Sequence, residues 1–426
     1  MKKSISLAIL TLSAAAGMAQ SPKAQLKMDE GKFAEALQIV NEAIANNEKD
    51  AAEATAKAQE KGKPVVLDKF NKKFAGLYNQ SGTCYAQIFN PELMKAANQQ
   101  PLDTMVFVNT LDAMVNAYTK SYVYDNMPDA KGKVKAKFSD ANAQRLYALR
   151  GYLINGGGFY QGKDNAKAFK LLSQYCESAD YPMFAKVKNA EDPDLTNAAF
   201  FASYMALQNK DYANAEKYSE LSLKDPEHGK DALSIKLEAM KHQLNNHEDS
   251  VAYTGKVKAL FEKDPDNQVL FATLIDSYNA LGQSDEARKL VDDRLAAAPN
   301  NFVALLVKGQ FLEREKKYEE AADFLKKALV NAPEQSKLYA TATIGDCYFF
   351  HAQERLNAFK GALSPAAKKA FEPVYDQAIS YYEAAKKLDV DQSQKSLYAP
   401  RLYNAYYFLY GEADARTQEA KSYAGY

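Results

Sequence analysis

The chain contains no tryptophan, only three cysteines and four histidines among 426 residues, and no excess of either charge, with 54 Lys and Arg against 54 Asp and Glu. Each shortage narrows the options. Balanced charge provides no strong field to draw nucleic acid to the surface. Cys84, Cys176 and Cys347 lie far apart in sequence and show no metal-ligand spacing, so they are expected as small buried hydrophobes. His242 and His247 stand five apart (247 − 242 = 5), which suits neither one helix face nor a zinc motif. No serine elbow, cysteine–histidine signature or distinctive carboxylate pair is present. No catalytic residue, cofactor site or metal site is therefore assigned, and an enzyme is not expected. Alternating strand patterns are missing, and no run after the first residues is apolar for long enough to form a transmembrane helix.

What the chain does have is helical periodicity in pairs. Phe302, Leu305, Leu306, Gly309 and Leu312 form one apolar stripe, and Tyr318, Ala321, Ala322, Leu325, Ala328 and Leu329 form a second. Pro333 is expected to end the second helix, because proline lacks the N–H that the helix needs. The preceding stretch repeats the pattern in phase. Pro265, Pro299 and Pro333 are 34 residues apart (333 − 299 = 34; 299 − 265 = 34), and Ala287 to Ala321 and Tyr278 to Leu312 keep the same step.

A 34-residue helix–turn–helix period with small residues at fixed points resembles the tetratricopeptide repeat. The first-helix tryptophan of that family is absent, and Leu305 and Phe271 take its place. The resemblance implies an all-α fold, a right-handed α-solenoid of stacked helical hairpins, in which each hairpin buries a face against its neighbours. It also implies that Gly309 and Ala321 lie where the two helices of one hairpin press together.

In chain order, residues 1–19 read as a signal peptide. Lys2 and Lys3 form the charged start, Ile5 to Ala16 the apolar stretch, and Gly17-Met18-Ala19 the small-residue ending, with cleavage expected before Gln20. Export to the periplasm, the outer cell envelope or the medium follows from that reading. Residues 20–137 are expected to hold a cap and irregular repeat-like helices, and 138–426 the regular solenoid with a helical C-terminal cap. The cap is a short helix over Pro22–Glu30 followed by Gly31 to Leu37. Two long helices are expected over Leu67–Asn90 and Asp103–Met127, with a short one between Pro91 and Pro101. Pro128–Lys137 reads as a polar linker with alternating lysines. Leu146, Leu149 and Leu153 mark one helix and Ala166–Cys176 the next. Further units centre on Ala215, Ala252, Ala287 and Ala321. A last hairpin, Leu338–Leu356 with Pro373–Leu388, carries an insertion over Gly361–Lys369.

Gly157-Gly158-Phe159-Tyr160-Gln161-Gly162-Lys163-Asp164 approaches a phosphate-binding loop, but Asp164 stands where that loop needs Ser or Thr, and an amphipathic helix ending near Asn155 precedes it. A glycine-rich turn with Asp164 capping the following helix is expected instead. Asp103-Thr104-Met105 and Asp249-Ser250-Val251 resemble a bacterial O-glycosylation acceptor.

In tetratricopeptide arrays the first helices line a concave groove. Carried over by position, the resemblance implies a partner-binding face built from Asn197, Phe200, Tyr204 and Gln208, then Lys241 and Asn245, then Asp276 and Asn279. Gln310, Glu313 and Arg314 follow, and then Asp346, Phe349 and Phe350. Phe200, Leu237, Ala272 and Leu306 occupy the places of the lysine clamp used by chaperone-tail binders, so that ligand is not expected. A groove of mixed polar residues with aromatics at its ends suits a protein or peptide segment. The expected function is a non-catalytic exported scaffold with a protein partner and no nucleic acid. The alternative is a glycan-binding helical-repeat protein of the envelope, kept open by the 28 tyrosines.

Overall fold

In the computed structural model, residues 21–188, 191–361 and 363–426 are described. The expected signal segment, Met1–Ala19, and its cut before Gln20 lie outside them. Among the described residues all regular structure is helical, with no strand. The chain divides into two compact units, Met1–Gln243 and Leu244–Tyr426.

The first unit begins with α1 (Pro22–Asp29) and α2 (Phe33–Glu60). Ser21 opens α1 with its hydroxyl accepting from the Ala24 N–H at 3.4 Å, and Gly31, at φ +72°, makes the tight turn that glycine permits. The Ala-, Lys- and Glu-rich stretch after Ala51 prolongs α2. Next come α3 (Asp68–Ala97) and α4 (Thr104–Asp125), which pack along their lengths. Their stripes Phe70, Phe74, Leu77 and Val108, Leu111, Val115, Tyr118 are all buried. The separate short helix expected between Pro91 and Pro101 does not form, because α3 runs through Pro91 to Ala97. The buried face of α3 continues past the proline with Leu93, and Glu92 accepts from the Asp103 N–H at 2.7 Å, which ties the end of α3 to the start of α4.

The single helix marked by Leu146, Leu149 and Leu153 is two, α5 (Ser139–Leu149) and α6 (Tyr152–Tyr160). The break falls at Arg150, whose buried guanidinium reaches Ser178 Oγ, Asp192 and the Tyr175 carbonyl. Helix α6 then passes Asn155 and runs through all three glycines before the turn at Gln161. The reason is packing: a Cβ on Gly157 would lie 2.7 Å from Leu172 Cγ in α7 (Asn165–Ser178). Glycine here allows two helices to touch and leaves no phosphate cradle. Asp164 caps α7 as expected, accepting from the Lys167 N–H at 3.1 Å. The unit closes with α8 (Leu195–Gln208), α9 (Tyr212–Ser222) and α10 (Gly229–His242).

The second unit opens with α11 (His247–Lys263), α12 (Gln268–Ala280), α13 (Ser284–Ala297), α14 (Phe302–Arg314) and α15 (Tyr318–Val330). Ala252, expected at a repeat centre, is exposed; Tyr253 is buried in its stead. Tyr253 also restores strict phase with Ala287 (287 − 253 = 34). Pro333 does not end α15, which has stopped at Val330; it sits at the entry to α16 (Glu334–Ala358). The insertion contains the short α17 (Pro365–Lys369). Helices α18 (Glu372–Leu388), α19 (Ala399–Tyr410) and α20 (Ala415–Ala424) complete the unit.

Within each unit a helix packs mainly on those before and after it in the chain, which is the contact pattern of stacked hairpins. At Gly309 the fit is tight: a Cβ there would lie 2.5 Å from Leu325 Cγ and 3.2 Å from the Ala321 carbonyl oxygen. All three cysteines are free and buried. Burial pushes the Cys84 thiol up to about 11 and Cys176 to about 12, as inert core thiols require.

Candidate functional site

Helix α14 presents two faces. Asn301 caps it, accepting from the Ala304 N–H at 2.9 Å. Leu305, Gly309 and Leu312 turn inward. Gln310, Glu313 and Arg314, at i, i+3 and i+4, share another face. On α16, Tyr339, Thr343 and Asp346 fall at i, i+4 and i+7 and form a matching row. With Ala342, Leu397 and Arg401 these residues line one cavity of about 270 Å³. Its mouth is bridged by Gln310, whose amide donates to Tyr339 Oη at 2.9 Å.

The cavity holds two carboxyl groups in unequal surroundings. Asp346 accepts from Tyr382 Oη at 2.7 Å and lies 3.5 Å from Arg401 Nε. Burial still pushes it up to about 6, against the pull of Arg401 and Tyr382. Arg401 is itself braced, with its guanidinium 5.5 Å from the Phe350 ring centre. Glu313 is pushed up to about 7, first by burial and then by the charge of Asp346, with Arg401 and Arg314 opposing. Among the described residues Glu313 has no hydrogen-bond partner and Arg314 no ion-pair partner. The cavity thus holds a half-buried carboxyl with no hydrogen bond beside an arginine that reaches it only through charge.

The structure brings Gln310, Glu313, Arg314 and Asp346 together in this cavity, with Phe350 behind Arg401. Phe349 is in the core, its ring edge-on to Tyr375 and Tyr382. Asp276 is exposed and Asn279 half-buried on α12. Asn245 lies before α11, where its N–H donates to Asp249 at 2.9 Å. In the first unit, Asn197, Phe200, Tyr204 and Gln208 occupy one side of α8. Phe200 stacks on His228 at 4.2 Å, and Tyr204 and Gln208 are exposed. Lys241 is exposed at the end of α10. Thr104 is exposed as the first residue of α4, whereas Ser250 is half-buried and hydrogen-bonded within α11. Among the described residues no cluster of His, Cys, Asp or Glu has the arrangement of a metal site.

Tyr339, Thr343 and Arg401 were not anticipated. Tyr339 and Thr343 precede Asp346 by seven and three positions (346 − 339 = 7; 346 − 343 = 3), so helical spacing alone could have found them. Arg401 arrives from α19, beyond the insertion, and carries no such signal.

The tetratricopeptide repeat profile matches residues 273–336, from within α12 to the start of α16, and these helices form a tetratricopeptide repeat. No curated protein matches the chain. Among solved structures, a monomeric mutant of IFIT1 with Gppp-AAAA is 15% identical, with 82% of this chain and 68% of that one covered and a TM-score of 0.37. The human IFIT1 dimer with m7Gppp-AAAA is 16% identical, with 86% and 89% covered and a TM-score of 0.31.

Proposed function

We propose that this chain is an exported, non-catalytic helical-repeat scaffold that binds a segment of another protein. In the second unit the binding face is that of α14 and α16. The observation that carries the reading is the cavity itself: it opens between α14 of the matched repeat and α16 and α19 beyond it, and among the described residues holds Glu313 without a hydrogen bond and Arg314 without an ion pair. A segment with a basic side chain for Glu313 and an acidic one for Arg314 is the complementary ligand. Such recognition works on a chain segment lying along a helical groove.

Affinity capture from envelope extracts supplies the partner, and one substitution in each unit then tests that unit's first-helix face separately. Arg314→Ala and Tyr204→Ala are expected to weaken capture, each by up to about 2 kcal/mol, since Arg and Tyr carry much of the energy of interfaces. Helix content should not change. Lys327→Ala and Lys217→Ala, on second helices, should have little effect. If only the second-helix pair matters, the opposite face is the interface.

Export rests on the charged, apolar and small-residue succession at residues 1–19. N-terminal sequencing of protein from the envelope fraction should begin at Gln20. A mature protein that retains its first residues would end this part of the proposal.

Glycan binding is the second reading, and one observation favours it. Tyr403 lies 6.0 Å from Tyr407 and 5.3 Å from Tyr426, ring centre to ring centre, with Tyr407 and Tyr426 exposed. A glycan array separates the two readings.

A further inference from the structure

The linker expected between Pro128 and Lys137 is a built element. Three aspartates pin it. Asp68, at the start of α3, accepts from the Ala130 N–H at 2.8 Å. Asp129 accepts from the Lys131 and Lys133 N–H groups, each at 3.0 Å, and Gly132 takes φ +73° to close that turn. Asp125 is buried and accepts from the N–H groups of Lys137, Phe138 and Ser139 at 2.7–2.9 Å. Under the segment lies a cavity of about 270 Å³.

The charges in this cavity are unequally used. Three carboxylates are engaged with the backbone that holds the segment in place. Lys72, Lys133, Lys135 and Lys137 also line the cavity; among the described residues none of them forms an ion pair, and Lys72 and Lys135 act on Asp129 only through their charge. Tyr124 and Phe138 belong to the same lining, with the Tyr124 ring stacked on Phe74. An anion would meet ammonium groups from both α3 and the segment, and an apolar body attached to it would meet the rings. Neither inorganic anions nor neutral aromatics satisfy both halves.

We infer that this cavity in the first unit binds a small organic anion, one phosphate, sulfate or carboxylate group on an aromatic or aliphatic body. The site is separate from the α14–α16 face, and its test does not depend on the protein partner.

Calorimetry on the full chain with phenyl phosphate, inorganic phosphate and phenol decides the matter. Phenyl phosphate should bind at one site, roughly tenfold or more tighter than either half alone, and rising salt should weaken it through screening of the exposed ammonium groups. Lys133→Ala combined with Lys135→Ala should lower that affinity by about tenfold or more. Lys72→Ala, which approaches from α3, should weaken it as well. Lys131→Ala, in the same segment but outside the cavity lining, should leave it unchanged. All four side chains are exposed, so the thermal transition should not move. Absence of saturable binding into the millimolar range overturns the inference, as does equal affinity for inorganic phosphate. Loss of binding in Lys131→Ala equal to that in the lining variants would show a diffuse charge effect and would also overturn it.

Discussion

Replacing Ala321 by leucine should lower stability by about 1–3 kcal/mol, the cost of forcing extra methylenes into a packed helix contact. Ala321 is fully buried, and its carbonyl oxygen lies 3.2 Å from where a Cβ on Gly309 would stand. Leu325 fills the remaining space, with its Cγ 2.5 Å from that same point. The Ala321 side chain is buried in one cluster with Leu312, Leu325, Ile344 and Cys347, so a leucine at 321 overpacks unless the helices around it separate. Separation would in turn loosen the neighbouring hairpins, because each stack member is held by the next. Equilibrium unfolding of the two proteins measures the loss. The control matters. Lys326 is a surface residue by sequence, but its ammonium lies 5.4 Å from the Tyr348 ring centre and 3.4 Å from Asp323. Glu320→Ala, at an exposed position, is the cleaner comparison and should cost less than about 0.5 kcal/mol. If the leucine variant and this control unfold alike, the packing register of the repeat is wrong.

The second large effect is expected at Glu313, and it depends on pH. The folded state holds this carboxyl at about 7, against 4.5 for an ordinary glutamate. Between those values the native protein binds more protons than the unfolded chain, so stability must fall as pH rises. The contribution is fully present below pH 4.5 and lost as pH passes about 7. That interval corresponds to at most roughly 3 kcal/mol, and partial contact with water reduces it to about 1–2 kcal/mol. Glu313→Gln removes the ionisation and retains the shape. It should therefore be more stable than the parent at pH 8 by about 1–2 kcal/mol, with the difference vanishing near pH 4. Urea unfolding at several pH values checks this, and a variant less stable than the parent at pH 8 would contradict the burial argument. The same change should weaken binding of a basic partner segment. Gain in stability with loss of binding is the mark of a carboxyl kept for a ligand.

Much of the fold is legible in the sequence. The helix pairs from Gln268 to Val330 follow from apolar residues at three- and four-residue spacing and from a repeat of fixed length. The small residues Gly309 and Ala321 marked the point where helices touch. The misreadings share one cause. Local residue type alone marks Pro91 as a boundary, Gly157 to Gly162 as a turn and Ala252 as a repeat centre. In the structure the continuing buried face carries α3 past Pro91, the contact with Leu172 holds Gly157 in α6, and Tyr253 takes the inward position.

By itself, then, the sequence determined the helix pairs from Gln268 to Val330 and the row of polar residues that α14 turns away from its core, because these depend on neighbours within a few positions along one helix. Only the tertiary structure decided the rest. It buried Glu313 and set Asp346 beside it, which together raise it, brought Arg401 from α19 into the same cavity, and drew Lys72 of α3 toward lysines more than one helix later. Burial and charge act through space, at distances that no spacing along the chain records.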